Sequence, residues 1–104
     1  MSPPGPVQAV LAIARDHPAY EGHFPGRPIL PGVVILAEVL EAIAQATARP
    51  AERWEIAQAK FLEPVTPGTA LTLVHEMNET GGVRFEVRSG ARVVASGALL
   101  PRDP

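Results

Sequence analysis

The chain has 104 residues and a formal net charge of −2, and 46% of its residues are hydrophobic, as expected for one globular domain at residues 1–104. Its lysines and arginines are scattered rather than clustered, so the sequence offers no basic stripe for nucleic acid. Because it contains no cysteine, disulfides and thiolate metal sites are excluded, and the composition suits a reducing compartment.

The chain begins with a proline-rich stretch, MSPPGP, that we expect to be a disordered, extended lead-in at residues 1–6. It has no basic region followed by an apolar core, so we predict no signal peptide. The longest apolar run, 33–37, is far shorter than the roughly 20 residues that a membrane-spanning helix needs. These features predict a cytoplasmic protein without a membrane segment.

A first strand is predicted at residues 7–14, VQAVLAIA, and a long loop follows it. Pro18, Pro25 and Pro28 argue against both a regular helix and an interior strand between residues 15 and 30. Loops this long in small domains are usually functional or disordered. We expect a functional loop, because it carries apolar side chains that need partners: Tyr20, Phe24, Ile29 and Leu30.

The next segment predicts one helix of about 18 residues, with Pro31 at its start and Pro50 after its end. Apolar side chains cover most of its circumference, so we expect protein to surround it on most sides. Only Glu38, Glu41 and Gln45 form a narrow polar stripe. A short chain with such a helix is expected to form a homodimer, because a monomer would leave much apolar surface bare.

After Pro50 the hydrophobic period changes to two, which predicts four strands in RWEIAQAKFLEPV, TALTLVHEM, GVRFEVRSG and ARVVASGALL. Turn signals separate them at Pro67-Gly68, Gly81-Gly82 and Ser89-Gly90. Short connections of this kind imply antiparallel neighbours. The order of elements predicts an α+β fold, in which a curved antiparallel sheet with a four-strand meander wraps around one long central helix.

His23 is the main candidate for chemistry, because it lies in the proline-stiffened loop a few residues before the helix. Backbone N–H groups at Gly32 and Val33, supported by the helix dipole, could stabilise an oxyanion. A neutral imidazole nearby could take a proton from the carbon next to a thioester carbonyl. The alternative is a histidine that only packs or caps the loop, since one histidine near a helix end is a weak signal.

Two segments of the sequence contain longer motifs than the single histidine. DHPAYEGHFPGRPILPGVVIL, residues 16–36, contains His-Phe-Pro-Gly-x-Pro followed by Pro-Gly-Val, and AKFLEPVTPGTAL covers residues 59–71. Both resemble the signature segments of the 3-hydroxyacyl-carrier-protein dehydratases, a hotdog-fold family. VVASGALL, near the C-terminus, is similar to the family's last strand. The resemblance extends over nearly the whole chain in the right order.

This resemblance implies a hotdog dimer with active sites between protomers, where His23 of one protomer faces an acid on the helix of the other. The implied reaction removes water from a (3R)-3-hydroxyacyl thioester to give the trans-2-enoyl product, in fatty-acid or related acyl-chain biosynthesis. The acyl group is expected on the phosphopantetheine of acyl carrier protein or on CoA, with no metal or separate cofactor. The residues expected to line the acyl tunnel are Tyr20, Phe24, Leu30 and Ala37.

The family's second catalytic residue, Glu or Asp, lies five positions after the glycine of Pro-Gly-Val, and that position is Ala37 here. Alanine cannot donate a proton to a leaving hydroxyl group. Glu38 is displaced from it by about 100° around the helix, and Glu41 by about 40° and one turn along the axis. Matching VLEAIAQAT to the family would place Glu41 at the acid position but needs a four-residue insertion, so we prefer the ungapped register.

Three functions remain open from the sequence. The first is an active dehydratase that uses His23 with Glu38 or Glu41. The second is a hotdog acyl thioesterase, in which a glutamate on the helix activates water. The third is a non-catalytic subunit that binds an acyl carrier or acyl thioester, paired with an active homologue.

Overall fold

The computed structural model describes residues 5–11, 29–66 and 68–102. Within these residues, five strands and one α-helix follow in the order β1 (Val7–Leu11), α1 (Gly32–Thr47), β2 (Trp54–Phe61), β3 (Leu71–Met77), β4 (Val83–Ser89) and β5 (Arg92–Pro101). The strands form one antiparallel sheet in the order β1-β3-β4-β5-β2. The predicted α+β architecture, a sheet packed around one long helix, is confirmed.

α1 begins after Pro31, whose extended backbone caps the helix, and it contains 16 residues. Ala48 ends it by adopting the left-handed conformation, with φ 55° and ψ 30°. The helix is shorter than predicted because this turn redirects the chain before Pro50, which could not have continued a helix anyway. No helix in the described ranges is long and apolar enough to span a bilayer.

One face of α1 and one face of the sheet form the core. The helix contributes Ile35, Val39 and Ile43, which are spaced by four and at most 3% exposed. The strands contribute alternate residues, as their period of two predicts. The buried sheet residues include Leu71, Leu73, Val83, Phe85, Val87 and Leu99.

Most residues of α1 are buried or half-buried, as the sequence predicted, but one side of the helix is open in a single chain. Val33 is 72% exposed, and Ala37, Glu41 and Gln45 are also exposed. These four residues are spaced by four, so they lie along one side of the helix, which we call the exposed stripe. One sheet covers only the helix face that packs against it, so any cover for this stripe must come from other parts of the chain or from another molecule.

The predicted four-strand meander is wrong, because β2 does not pair with β3. β2 lies at the sheet edge beside β5, with Trp54 opposite Pro101 and Phe61 opposite Ala95. The connection from β2 to β3, residues 62–70, is too long for a tight hairpin. It is anchored instead by Val65, which is buried and accepts a 2.8 Å hydrogen bond from the Leu30 N–H. The chain therefore crosses near the start of α1 to reach β3.

The other two predicted connections are confirmed as hairpin turns. Between β3 and β4, the Asn78 Oδ1 atom accepts hydrogen bonds from the Thr80 and Gly82 N–H groups at 3.0 and 2.9 Å. Between β4 and β5, Gly90 has φ +61°, a conformation that glycine adopts without strain. Both turns join neighbouring antiparallel strands.

Candidate functional site

The start of α1 presents backbone donors without partners among the described residues. The Val34 N–H donates to the Pro31 carbonyl at 3.0 Å, but no hydrogen bond from Gly32 or Val33 is formed there. The Pro31 side chain cannot cap a helix, and the first turn contains no acidic residue. The positive end of the helix dipole lies at these N–H groups, a location that favours anions, and the oxyanion role of Gly32 and Val33 stays a prediction.

The ring of Phe61, the last residue of β2, covers one side of this helix start. A Cβ atom built on Gly32 would lie only 2.7 Å from the Phe61 ring carbons Cε1 and Cζ, so a side chain at this position would require the ring to move. Phe61 remains 49% exposed. No sequence pattern marked Phe61 as a site residue, because a hydrophobic period of two identifies it only as one strand position among several.

The exposed stripe distinguishes the two candidate acids. It carries Val33 at the helix start, then Ala37, and one turn later Glu41. Glu38 is the next residue around the helix from Ala37, about 100° away, and it is half-buried. The structure therefore brings Glu41, and not Glu38, onto the side of the helix that Ala37 occupies.

Gln45 holds the carboxylate of Glu41. Its side-chain amide Nε2 donates a hydrogen bond to Glu41 Oε1 at 3.3 Å, between residues four apart on the exposed stripe. The sequence predicted a shared polar stripe for both residues but not this contact. An amide donor favours one position of the carboxyl group.

The other predicted site residues differ in whether the structure describes them and in where it places them. His23, Tyr20 and Phe24 lie outside the described residues. Leu30 is a core residue, 3% exposed, whose N–H is bonded to the Val65 carbonyl. It packs the fold, and this placement does not favour the predicted contact between Leu30 and a substrate. Ala37 is exposed, so it can border a ligand.

A cavity of about 530 Å³ lies on the sheet face opposite α1. Its polar lining alternates with the core-facing positions of the strands and includes Gln58, Lys60, Arg84, Glu86, Arg88 and Ser96. Arg88 and Glu86 form an ion pair at 2.7 Å. A site for an acyl group is expected to be mainly apolar, so this cavity is not our candidate.

Comparison with protein families gives a match along almost the whole chain. The sequence model of the ApeI-like family, described as ApeI dehydratase, matches residues 3–98. The 3-hydroxyacyl-acyl-carrier-protein dehydratase FabZ of Chlamydia trachomatis is 40% identical in an alignment of 110 positions. This alignment covers 89% of this chain and 69% of that protein. The chain therefore spans about two thirds of the length of this relative.

Two solved structures share the fold at low sequence identity. A chain of the dehydratase heterocomplex ApeI:P from Xenorhabdus doucetiae is 23% identical, with a TM-score of 0.68 and coverage of 99% of this chain and 100% of that chain. The fluoroacetyl-CoA thioesterase FlK is 14% identical, with a TM-score of 0.71 and coverage of 95% of this chain and 86% of that chain. At these identities the likeness concerns the hotdog fold alone.

Proposed function

Because this chain belongs to the family of ApeI-like dehydratases, we propose that it removes water from (3R)-3-hydroxyacyl thioesters to give trans-2-enoyl thioesters. The observation that carries this proposal is the start of α1. There the Gly32 and Val33 N–H groups lie beside the half-exposed Phe61 ring, at the head of the exposed stripe that carries Glu41. Elimination next to a thioester carbonyl requires a site for the oxyanion together with a proton donor.

In the proposed mechanism, the neutral imidazole of His23 removes a proton from C2 of the substrate. The electron pair moves toward the carbonyl, and the Gly32 and Val33 N–H groups stabilise the enolate oxygen. The pair then forms the C2–C3 double bond while the C3–O bond breaks. The carboxylic acid of a helix glutamate donates its proton to the departing hydroxyl group, and water leaves.

We assign the proton donor to Glu41. Side chains on an α-helix lean toward its N-terminus, so the carboxyl group of Glu41 extends back toward Ala37, whose methyl group leaves room for it. The hydrogen bond from Gln45 supports one position of this carboxyl group. Glu38 lies about 60° around the helix from Glu41 and is half-buried, so its carboxyl group is less exposed than that of Glu41.

The substrate class follows from the relatives. FabZ of Chlamydia trachomatis is named for its action on 3-hydroxyacyl groups carried by acyl carrier protein. We propose the same kind of substrate here, on the phosphopantetheine arm of acyl carrier protein or on CoA, in the cytoplasm. The mechanism needs no metal or additional cofactor, because the amides and the two side chains supply every step.

We also propose that two copies of the chain assemble, so that His23 of one protomer faces the helix acid of the other. The exposed stripe supports this, because Val33 and Ala37 leave apolar helix surface open in a single chain. β2 supports it as well, because no described strand pairs with the outer edge of this eight-residue strand, and such an edge can pair with another strand.

A non-catalytic binding subunit is the second candidate, and one observation favours it. In the ungapped register the acid position holds Ala37, which cannot donate a proton. Such a subunit would bind the acyl thioester at the start of α1 and leave the chemistry to an active homologue. The thioesterase alternative has only fold-level likeness behind it, at 14% identity to FlK.

Kinetics of point variants test the dehydratase proposal. We expect the wild-type protein to convert 3-hydroxybutyryl-pantetheine to its enoyl product, followed by absorbance of the conjugated thioester. His23→Ala and Glu41→Gln should each lower kcat at least about 10²-fold, the usual contribution of a positioned acid or base. Glu38→Gln is the matched control and should retain the wild-type rate.

Circular dichroism must show that each variant is folded. Tight binding without turnover by the wild type would favour the binding-subunit candidate. If Glu38→Gln loses activity while Glu41→Gln keeps it, the assignment of the acid is wrong. A folded His23→Ala variant with an unchanged rate would exclude His23 as the base.

A further inference from the structure

Phe61 occupies a position that no step of the proposed mechanism uses. Its ring carbons lie where a side chain of residue 32 would have to be, so the ring and the first residue of α1 are in direct contact. Even so, 49% of Phe61 is exposed. A large aromatic side chain is thus packed against the helix on one side, and in a single chain its other side is open beside the first residue of α1.

The surface around this ring is apolar. Val33, which follows Gly32 on the first turn of α1, is 72% exposed. The nearest charged residues in sequence are directed elsewhere. Lys60 lines the cavity on the opposite face of the sheet, and Glu63 forms an ion pair with Arg92 at 2.6 Å.

These surroundings decide which side of a bound thioester meets the ring. A thioester carbonyl is flanked by the sulfur of the pantetheine arm, which carries amides that need hydrogen-bond partners, and by C2 of the acyl group, which is apolar. Phe61 and Val33 offer apolar contact and no side-chain hydrogen-bonding group. The acyl side is therefore the side that fits against the ring.

We propose, on the basis of the dehydratase function above, that Phe61 determines specificity at C2 by excluding acyl thioesters that carry a substituent there. The ring is held against the helix start and cannot retreat toward Gly32, because no gap separates them. A methyl group on C2 would have to displace the ring or shift the carbonyl away from the two N–H groups. Unbranched 3-hydroxyacyl thioesters avoid this conflict.

The test compares two substrates that differ by one methyl group, 3-hydroxybutyryl-pantetheine and 2-methyl-3-hydroxybutyryl-pantetheine. The wild type should favour the unbranched substrate in kcat/KM by at least about tenfold, the usual range for one methyl group in an apolar site. Phe61→Ala should reduce this preference to less than about threefold, and Phe61→Leu should give an intermediate ratio. Leu100→Ala, at an exposed apolar position on β5, is the control and should keep the wild-type ratio.

The outcomes separate this inference from the proposed function. If the wild type turns over neither substrate, the proposed dehydratase function is wrong. The role of Phe61 is then tested by calorimetry, as the ratio of the Kd values for 2-methylbutyryl- and butyryl-pantetheine. In either assay, a ratio that is unchanged in folded Phe61→Ala and Phe61→Leu overturns the role of Phe61. A wild type that accepts both substrates equally also overturns it.

Discussion

At the scale of single residues, His75 is the buried polar side chain of the described core. It lies on β3 between Val7 of β1 and Phe85 of β4, and only 5% of it is exposed. Its Nε2 atom has no hydrogen-bond partner among the described residues. Burial lowers the pKa of His75 from its ordinary value of 6.5, because the charged imidazolium would lose its hydration. The folded protein therefore favours neutral His75.

This shift predicts a loss of stability in mildly acidic solution. The unfolded chain binds a proton at His75 near pH 6.5, whereas the folded chain binds it only at lower pH, so protons favour unfolding between these values. The contribution of neutral His75 to the free energy of unfolding is fully present above pH 6.5 and decreases as the pH falls below that value. Urea unfolding at several pH values from 8 to 5.5 should show this slope, and His75→Gln should flatten it. An equal slope in both proteins would contradict the assignment to His75.

At the scale of one element, the end of α1 departs from the usual helix terminus. Ala48 has φ 55° and ψ 30°, a left-handed conformation in which glycine is the common residue. Its N–H is bonded to the Ala44 carbonyl, and the side chain is exposed. Left-handed backbone costs a residue with a Cβ atom roughly 1 kcal/mol. The helix end is therefore less stable than it could be.

Ala48→Gly is accordingly expected to raise the free energy of unfolding by about 0.5–1 kcal/mol, despite the greater freedom of glycine in the unfolded chain. Ala46→Gly is the matched control, since Ala46 is also exposed but lies within the helix. It should lower the free energy of unfolding by about 1 kcal/mol. Chemical denaturation measures both values. Destabilisation by Ala48→Gly would show that the strain at this residue is offset elsewhere.

At the scale of the whole molecule, β2 is complementary to a second copy of itself. An antiparallel pairing centred between Ala57 and Gln58 places Glu55 opposite the partner's Lys60 and Ile56 opposite the partner's Ala59. Glu55 and Lys60 are both exposed, as is Ile56 at 41%. Opposite charges at facing positions of neighbouring strands stabilise their pairing. We therefore propose this register for the dimer.

Charge reversal tests this register. Light scattering of the wild type at micromolar concentration should give about 22 kDa, twice the chain mass of 11.0 kDa. Glu55→Lys should raise the dimer Kd roughly tenfold, because two like-charge pairs together cost about 1–2 kcal/mol. The double variant Glu55→Lys with Lys60→Glu should restore the wild-type Kd.

Two results would count against the proposal. A wild-type mass near the monomer value excludes the dimer at that concentration. A double variant as weak as Glu55→Lys alone excludes this register but not another one.

Local features of the fold were predictable from the sequence because they depend on neighbouring residues. Pro31 and Pro50 marked the two ends of the helix, a hydrophobic period of two located the strands after it, and Gly81-Gly82 and Ser89-Gly90 located both hairpin turns. The histidine motif and the Pro-Gly-Val segment predicted the dehydratase family. The candidate acids Glu38 and Glu41 were also visible, but the pattern could not rank them, since a helix period does not say which side another element will cover.

Long-range features were decided only by the tertiary structure. Whether β2 pairs with β3 or β5 depends on contacts between residues distant in sequence, and the alternation of apolar residues is the same in either case. The contact between Phe61 and Gly32 likewise exists only because the sheet edge meets the helix start. The apolar circumference of α1 was correctly seen in the sequence, but the sheet covers one face of it. Because one sheet cannot cover the whole helix, the exposed stripe, with Ala37 and Glu41, stays open for a partner or a substrate.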